Sequence, residues 1–135
     1  MKIVLDMNVF VSAFYFEGNP KLVLERVIEG IDETYVSKGM NEEIFSVMIR
    51  PKFKTDIEYV EHFIKSIEDI SIGVRTKEKL KGVSEDIKDG KILECALEAK
   101  AEYIVTGDKD LLSLKSFKNI KISSPENYLK IVNKE

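Results

Sequence analysis

The stretch "DGKILECALEAKAEYIVTGDKDLL", residues 89–112, decides the fold class. Asp89 opens a helical pattern through "GKILECALEAKA". "YIVTG" (103–107) then reads as a short β-branched strand closed by a glycine, and "DKDLLSL" (108–114) begins another helix. A strand set between two helices is a fragment of an alternating α/β chain. Such chains place their strands in parallel and cover both faces of the sheet with helices.

The alternation extends in both directions. "KIVL" (2–5) and residues 9–11 carry the β-branched apolar residues of a fully buried strand. Pro20 opens a helix, "PKLVLERVIEG", with Leu22, Val23, Val27 and Ile28 on one face and Gly30 as its stop. "ETYVS" (33–37) is strand-like, and Asn41 is the expected N-cap of a helix through "EEIFSVMI" that ends before Pro51. Residues 56–68 repeat apolar side chains at helical spacing (Ile57, Val60, Ile64, Ile67), and "ISIGV" (70–74) follows as a strand. The polar stretch 75–88 has no period and reads as a connector or a flap. "IKIS" (120–123) is a last strand, and Pro125 starts a final helix, "PENYLKIV". No repeat or linker divides the chain, so residues 1–135 are expected to form a single domain.

Composition narrows the function. A hydrophobic fraction of 44% beside 33% charged residues is that of a globular domain, and no apolar run is long enough for a membrane span. The net charge of −3 argues against a globally basic nucleic-acid binder but permits a local basic rim around an acidic centre. Cys95 is the single cysteine, which excludes an internal disulfide and a cysteine zinc site and makes a reducing, cytoplasmic compartment the expectation. The N-terminus does not read as a signal peptide.

The acids are the chemical signal. Open parallel sheets bind ligands beyond the carboxyl ends of their strands. Asp6 ends the first strand, Asp108 follows "YIVTG", Asp89 begins a helix, and Glu43 lies in the first turns of the helix after Asn41. Four carboxylates brought together would repel one another unless a cation sat among them. Hard oxygen ligands select Mg²⁺ or Mn²⁺ over zinc. Singly, Asp89 and Asp108 also read as helix N-caps, and Glu43 as a surface acid favouring a helix dipole. One histidine, one cysteine, and neither a phosphate-binding glycine loop nor a GxSxG elbow leave no rival nucleophile.

Four segments, "VLDMNVFVSA", "EEIFSVMIRPKF", "DIKDGKILECALEAKAEYIVTGDKDLL" and "ISSPENYL", resemble the PIN-domain family, in particular its branch of VapC-like toxins from toxin–antitoxin pairs. The resemblance runs from residue 3 to about residue 129. It implies a three-layer α/β/α sandwich with a central, mainly parallel sheet. It also implies a Mg²⁺- or Mn²⁺-dependent endoribonuclease that cleaves single-stranded RNA by in-line attack of water, leaving a 5′-phosphate and a 3′-hydroxyl. By position, the family's acids fall on Asp6, Glu43, Asp89 and Asp108 as metal ligands and catalytic residues, with Asn8 and Thr106 in support and Asp110 as a further contributor. An antitoxin protein and a second copy of the chain are the implied partners.

Two positions depart from the family pattern. Met7 stands where a threonine or serine is usual, and Asp86-Ile87-Lys88-Asp89-Gly90 replaces a more acidic run. These departures support an alternative, a PIN-fold interaction protein with a weak or inactive site. A receiver-type signalling domain ranks last, because the first strand carries one acid and not a pair. Arg50, Lys52 and Lys54 flank Pro51 and Phe53 in a basic loop suited to RNA phosphates and a stacked base. His62 lies off its helix's apolar stripe and reads as exposed, whereas Cys95 reads as core. Phe14, Tyr15 and Phe16 read as core or interface.

Overall fold

The computed structural model describes residues 1–76 and 87–133, and the backbone alone for Phe53 and residues 87–89. Within them six strands form one sheet. These are β1 (Lys2–Leu5), β2 (Glu33–Ser37), β3 (Ser71–Val74), β4 (Tyr103–Val105), β5 (Ser116–Phe117) and β6 (Ile120–Ser123). The order is β3-β2-β1-β4-β6-β5, parallel throughout except for the antiparallel β5–β6 hairpin. The helices are α1 (Met7–Tyr15), α2 (Asn19–Ile28), α3 (Lys38–Met48), α4 (Ile57–Ile70), α5 (Ile87–Ala99), α6 (Lys109–Leu114) and α7 (Pro125–Val132). A 3₁₀ turn covers Pro51–Phe53.

The two-residue period of β1 sorts the core. Ile3 and Leu5 join Phe10, Val23, Ile44, Val60, Val105 and Tyr128 on one face, which α1, α2, α3, α4 and α7 cover. Val4 joins Leu93, Cys95, Ile104 and Leu111 on the other, beneath α5 and α6. The expected three-layer α/β/α sandwich is therefore present. Helix α3 straddles the sheet's edge: Met40 packs with the second face, Ile44 and Met48 with the first. None of the described helices is long and apolar enough to cross a membrane.

Local readings needed four corrections. Residues 9–11 are helical: α1 follows directly on β1, with Val9, Phe10, Val11 and Ala13 all buried. A helix apolar on nearly every side has no visible period, so a short β-branched run cannot be told from a buried strand. On α2 the buried residues are Val23, Leu24 and Val27, while Leu22 and Ile28 are exposed. On α4 Val60 and Ile67 are buried, whereas Ile57 is exposed. Helix α3 starts earlier than expected. Its cap is Ser37, whose Oγ accepts the Met40 N–H at 3.4 Å, and Asn41 lies inside the helix. The two-residue β5 was too short to carry a signal. Of the polar stretch 75–88, residues 77–86 lie outside the described ones, so neither the connector nor the flap reading is decided there.

Candidate functional site

From β1 the chain runs outward through β2 to β3 on one side, then returns to place β4 on the other. The gap between β1 and β4 is thus the topological switch point, where open parallel sheets form their ligand crevice. Asp6 stands at its mouth. Its N–H donates to the Val105 carbonyl at 3.0 Å, and its own carbonyl accepts the N–H of Val9 at 2.9 Å. One neighbour is the end of β4, and the other is the first turn of α1. The Thr106 N–H in turn donates to the Ser123 carbonyl at 2.9 Å, tying the end of β4 to β6.

Thr106 is completely buried. Its hydroxyl donates to Asp6 Oδ2 at 2.6 Å and accepts the Asp108 N–H at 3.0 Å. One hydroxyl thereby orients the first carboxylate and the backbone of the second acid. Asp108 Oδ1 accepts the Asp110 N–H at 2.8 Å, so Asp108 caps α6, as a helix-start aspartate commonly does. Capping and proximity to Asp6 coexist. Burial raises the Asp6 carboxyl above its ordinary range. The Thr106 hydroxyl and the Met7 and Asn8 N–H groups pull it down, though neither N–H closes a cap hydrogen bond, and the charge of Asp108 pushes it up.

A second buried acid shows what is missing at Asp6. Asp32, at the opposite, amino end of the strands just before β2, accepts Arg26 Nε at 2.9 Å, the Tyr128 hydroxyl at 2.9 Å and the Met1 amino group at 3.2 Å. Burial alone would raise its carboxyl, but these partners outweigh it and hold the group below its usual range. Asp6 has no ion pair among the described residues. A desolvated carboxylate with one hydroxyl donor and a second acid beside it is a set of hard oxygen atoms short of positive charge. That chemistry fits Mg²⁺ or Mn²⁺.

The other expected acids and Asn8 lie on α1, α3, α5 and α6. Glu43 lies on the second turn of α3, mostly buried, with Oε1 3.2 Å from Lys91 Nζ. Asp89 is the third residue of α5 by backbone position. No group of three or more acidic, histidine or cysteine side chains poised for a metal occurs among the described residues, which do not include the Asp89 side chain. Asn8 is exposed on the first turn of α1, and Asp110 is exposed on the first turn of α6. Arg50, Lys52 and Lys54 are exposed around the 3₁₀ turn, past the C-terminal end of α3 and about 10 Å of helix rise beyond Glu43. They are not gathered at the Asp6–Asp108 pair.

Lys91 escaped the sequence reading, although its place two residues after Asp89 on the same helix was a usable signal. Met7, read there as a lost hydroxyl, is buried in the core. His62 is exposed, and Cys95 is fully buried with its thiol pushed up to about 12 by burial. Phe14, Tyr15 and Phe63 form a ring cluster, with the Tyr15 hydroxyl hydrogen-bonded to Thr55, while Phe16 is largely exposed.

Comparison with known proteins adds two findings. A family model described as a PIN domain matches residues 2–110. An uncharacterised protein of Methanocaldococcus jannaschii is 31% identical over 137 residues, spanning 98% of this chain and 82% of that protein.

Proposed function

The chain belongs to the PIN-domain family, whose members are generally nucleases, and from that premise we propose that it is a Mg²⁺- or Mn²⁺-dependent endoribonuclease acting on single-stranded RNA. The observation that carries this reading is the buried Asp6 carboxylate at the switch point, oriented by Thr106, neighboured by Asp108 and without a countercharge among the described residues. Asp6, Glu43, Asp89 and Asp108 would hold the ion. Thr106 fixes the Asp6 carboxylate in one orientation, and Asn8 and Asp110 border it from the first turns of α1 and α6. When bound, such an ion acidifies a water and neutralises charge on the scissile phosphate.

The toxin role, a cognate antitoxin and a homodimer belong to the same proposal and rest on the resemblance of the motifs, while a cytoplasmic location rests on the single cysteine, Cys95. RNA contact by Arg50, Lys52 and Lys54 is also proposed and rests on their exposed positions in a basic loop past the end of α3. The alternative, an inactive interaction protein of the same fold, draws on the engagement of Glu43 by Lys91. Met7 lends it little, since that side chain serves packing.

The deciding experiment is cleavage of a mixed-sequence single-stranded RNA. Cleavage is expected with Mg²⁺ or Mn²⁺, absent with EDTA, and lost in Asp6→Asn and Asp89→Asn proteins. If both variants cleave as fast as the parent, the site assignment is wrong. If the parent never cleaves and Mn²⁺ gives it no thermal stabilisation, the inactive reading replaces this one.

A further inference from the structure

Lys91 is held at two points. Its aliphatic stem crosses α3 at Gly39, where an added Cβ would stand 3.4 Å from Lys91 Cδ, and its ammonium ends 3.2 Å from Glu43 Oε1. Gly39 and Glu43 are four residues apart on α3 and so share one helix face. The lysine, rooted on the first turns of α5, therefore runs along that face from the glycine to the acid. A bare Cα at Gly39 gives the stem a flat track, and the ammonium is delivered to a carboxylate that is only 19% exposed.

We infer that Lys91 is a positioning residue that competes with the metal: its ammonium pairs with Glu43 and must yield that carboxylate when a divalent cation binds. The inference rests on the reading of Glu43 as a metal ligand. It goes further by assigning a role to a residue outside the acid set. The contrast with Asp6 supports it. Of the two acids, the one at the switch point has a hydroxyl for company, while the one on α3 already has a cation. A monovalent ammonium on a flexible stem neutralises Glu43 without closing the site. It keeps the side chain extended toward α5, and it can swing to solvent because Lys91 itself is 36% exposed. The cost is affinity, since the divalent ion must displace a bound charge and then tolerate it nearby.

The test is Mn²⁺ binding without RNA, followed by loss of the free-ion electron paramagnetic resonance signal, in Lys91→Met, Lys91→Gln and Lys91→Arg proteins. Methionine keeps the stem across Gly39 and removes the charge, and glutamine is a second neutral variant should methionine fold poorly. Both neutral variants are expected to bind Mn²⁺ about three- to tenfold more tightly than the parent. Lys91→Arg should bind no more tightly than the parent. In a Glu43→Gln background the Lys91→Met gain should vanish, which places the effect on that one carboxylate. A merely structural lysine predicts the reverse, looser binding in the neutral variants, and that outcome overturns the inference while leaving the metal site standing. If no protein in the series binds Mn²⁺, the metal reading falls and takes the inference with it.

Discussion

Thr106 and Asp6, 100 positions apart in sequence, are joined by a 2.6 Å hydrogen bond from a fully buried hydroxyl to a carboxylate with no other side-chain donor among the described residues. The same hydroxyl accepts the N–H of Asp108. Thr106→Val keeps the shape and removes both bonds. It should lower stability by about 1–3 kcal/mol, because the buried Asp6 carboxylate loses its hydroxyl donor and the partly buried Asp108 N–H its acceptor. RNA cleavage and Mn²⁺ affinity should fall about 10- to 100-fold, as when a ligand's orienting partner is removed. Serine at this position should restore most of both. A valine variant with parental Mn²⁺ affinity would contradict this role for the hydroxyl.

Asp6→Asn should separate stability from function. Burial and the nearby Asp108 charge make the Asp6 carboxylate costly in the metal-free chain. A neutral amide still accepts from Thr106 and removes that cost. We expect the EDTA-treated variant to melt higher than the parent, by the equivalent of about 0.5–2 kcal/mol, with no further gain on adding Mn²⁺. Calorimetry with and without the ion reads both effects.

Asp32 is the structural counterpart and carries the pH dependence. Its folded-state carboxyl lies below its usual range, so it favours folding fully above the unfolded value near ~3.9. That contribution is lost as pH falls through the depressed folded value. Asp32→Asn should cost about 3 kcal/mol at neutral pH, because Arg26 then keeps its place without a partner. The gap in Tm between parent and variant should narrow steadily below about pH 4. A gap constant from pH 7 to pH 2.5 would show that the three partners do not act on the charged form.

Helix α3 offers a paired test of its start. Ser37→Ala should destabilise by about 1 kcal/mol, the usual cost of a lost N-cap. Asn41→Ala should be neutral or slightly stabilising, since its Oδ1 is buried with no hydrogen-bond partner among the described residues and alanine is the better helix former. Urea unfolding of the two variants would show the order directly.

Much of this was legible in the sequence, and the misses have definite causes. β2 and β6 fall on the residues where β-branched alternation placed them, and Asp108 lies beside its "YIVTG" strand as the loop chemistry suggested. α1 was half misread because burial on nearly all sides erases the 3.6-residue signature. The cap was placed at Asn41 because Ser37 was read only as the last residue of its strand, and composition does not show that one residue can end a strand and cap the next helix. Asp32 went unnoticed because its partners, Arg26, Tyr128 and Met1, come from three separate parts of the chain. Lys91 was passed over because lysine on a helix is ordinary until a glycine track and an acid are seen beside it.

The switch point also sets a timetable. β1 can pair with β2 once α1 and α2 have been made, but Thr106 comes 100 positions after Asp6, beyond β4. Pairing across that separation carries a larger loop-closure cost than pairing β1 with β2, and contacts so distant in sequence slow folding. On the ribosome, Asp6 is made 100 positions before Thr106. The Asp6–Thr106 contact cannot form until all of the chain between the two residues has been synthesised.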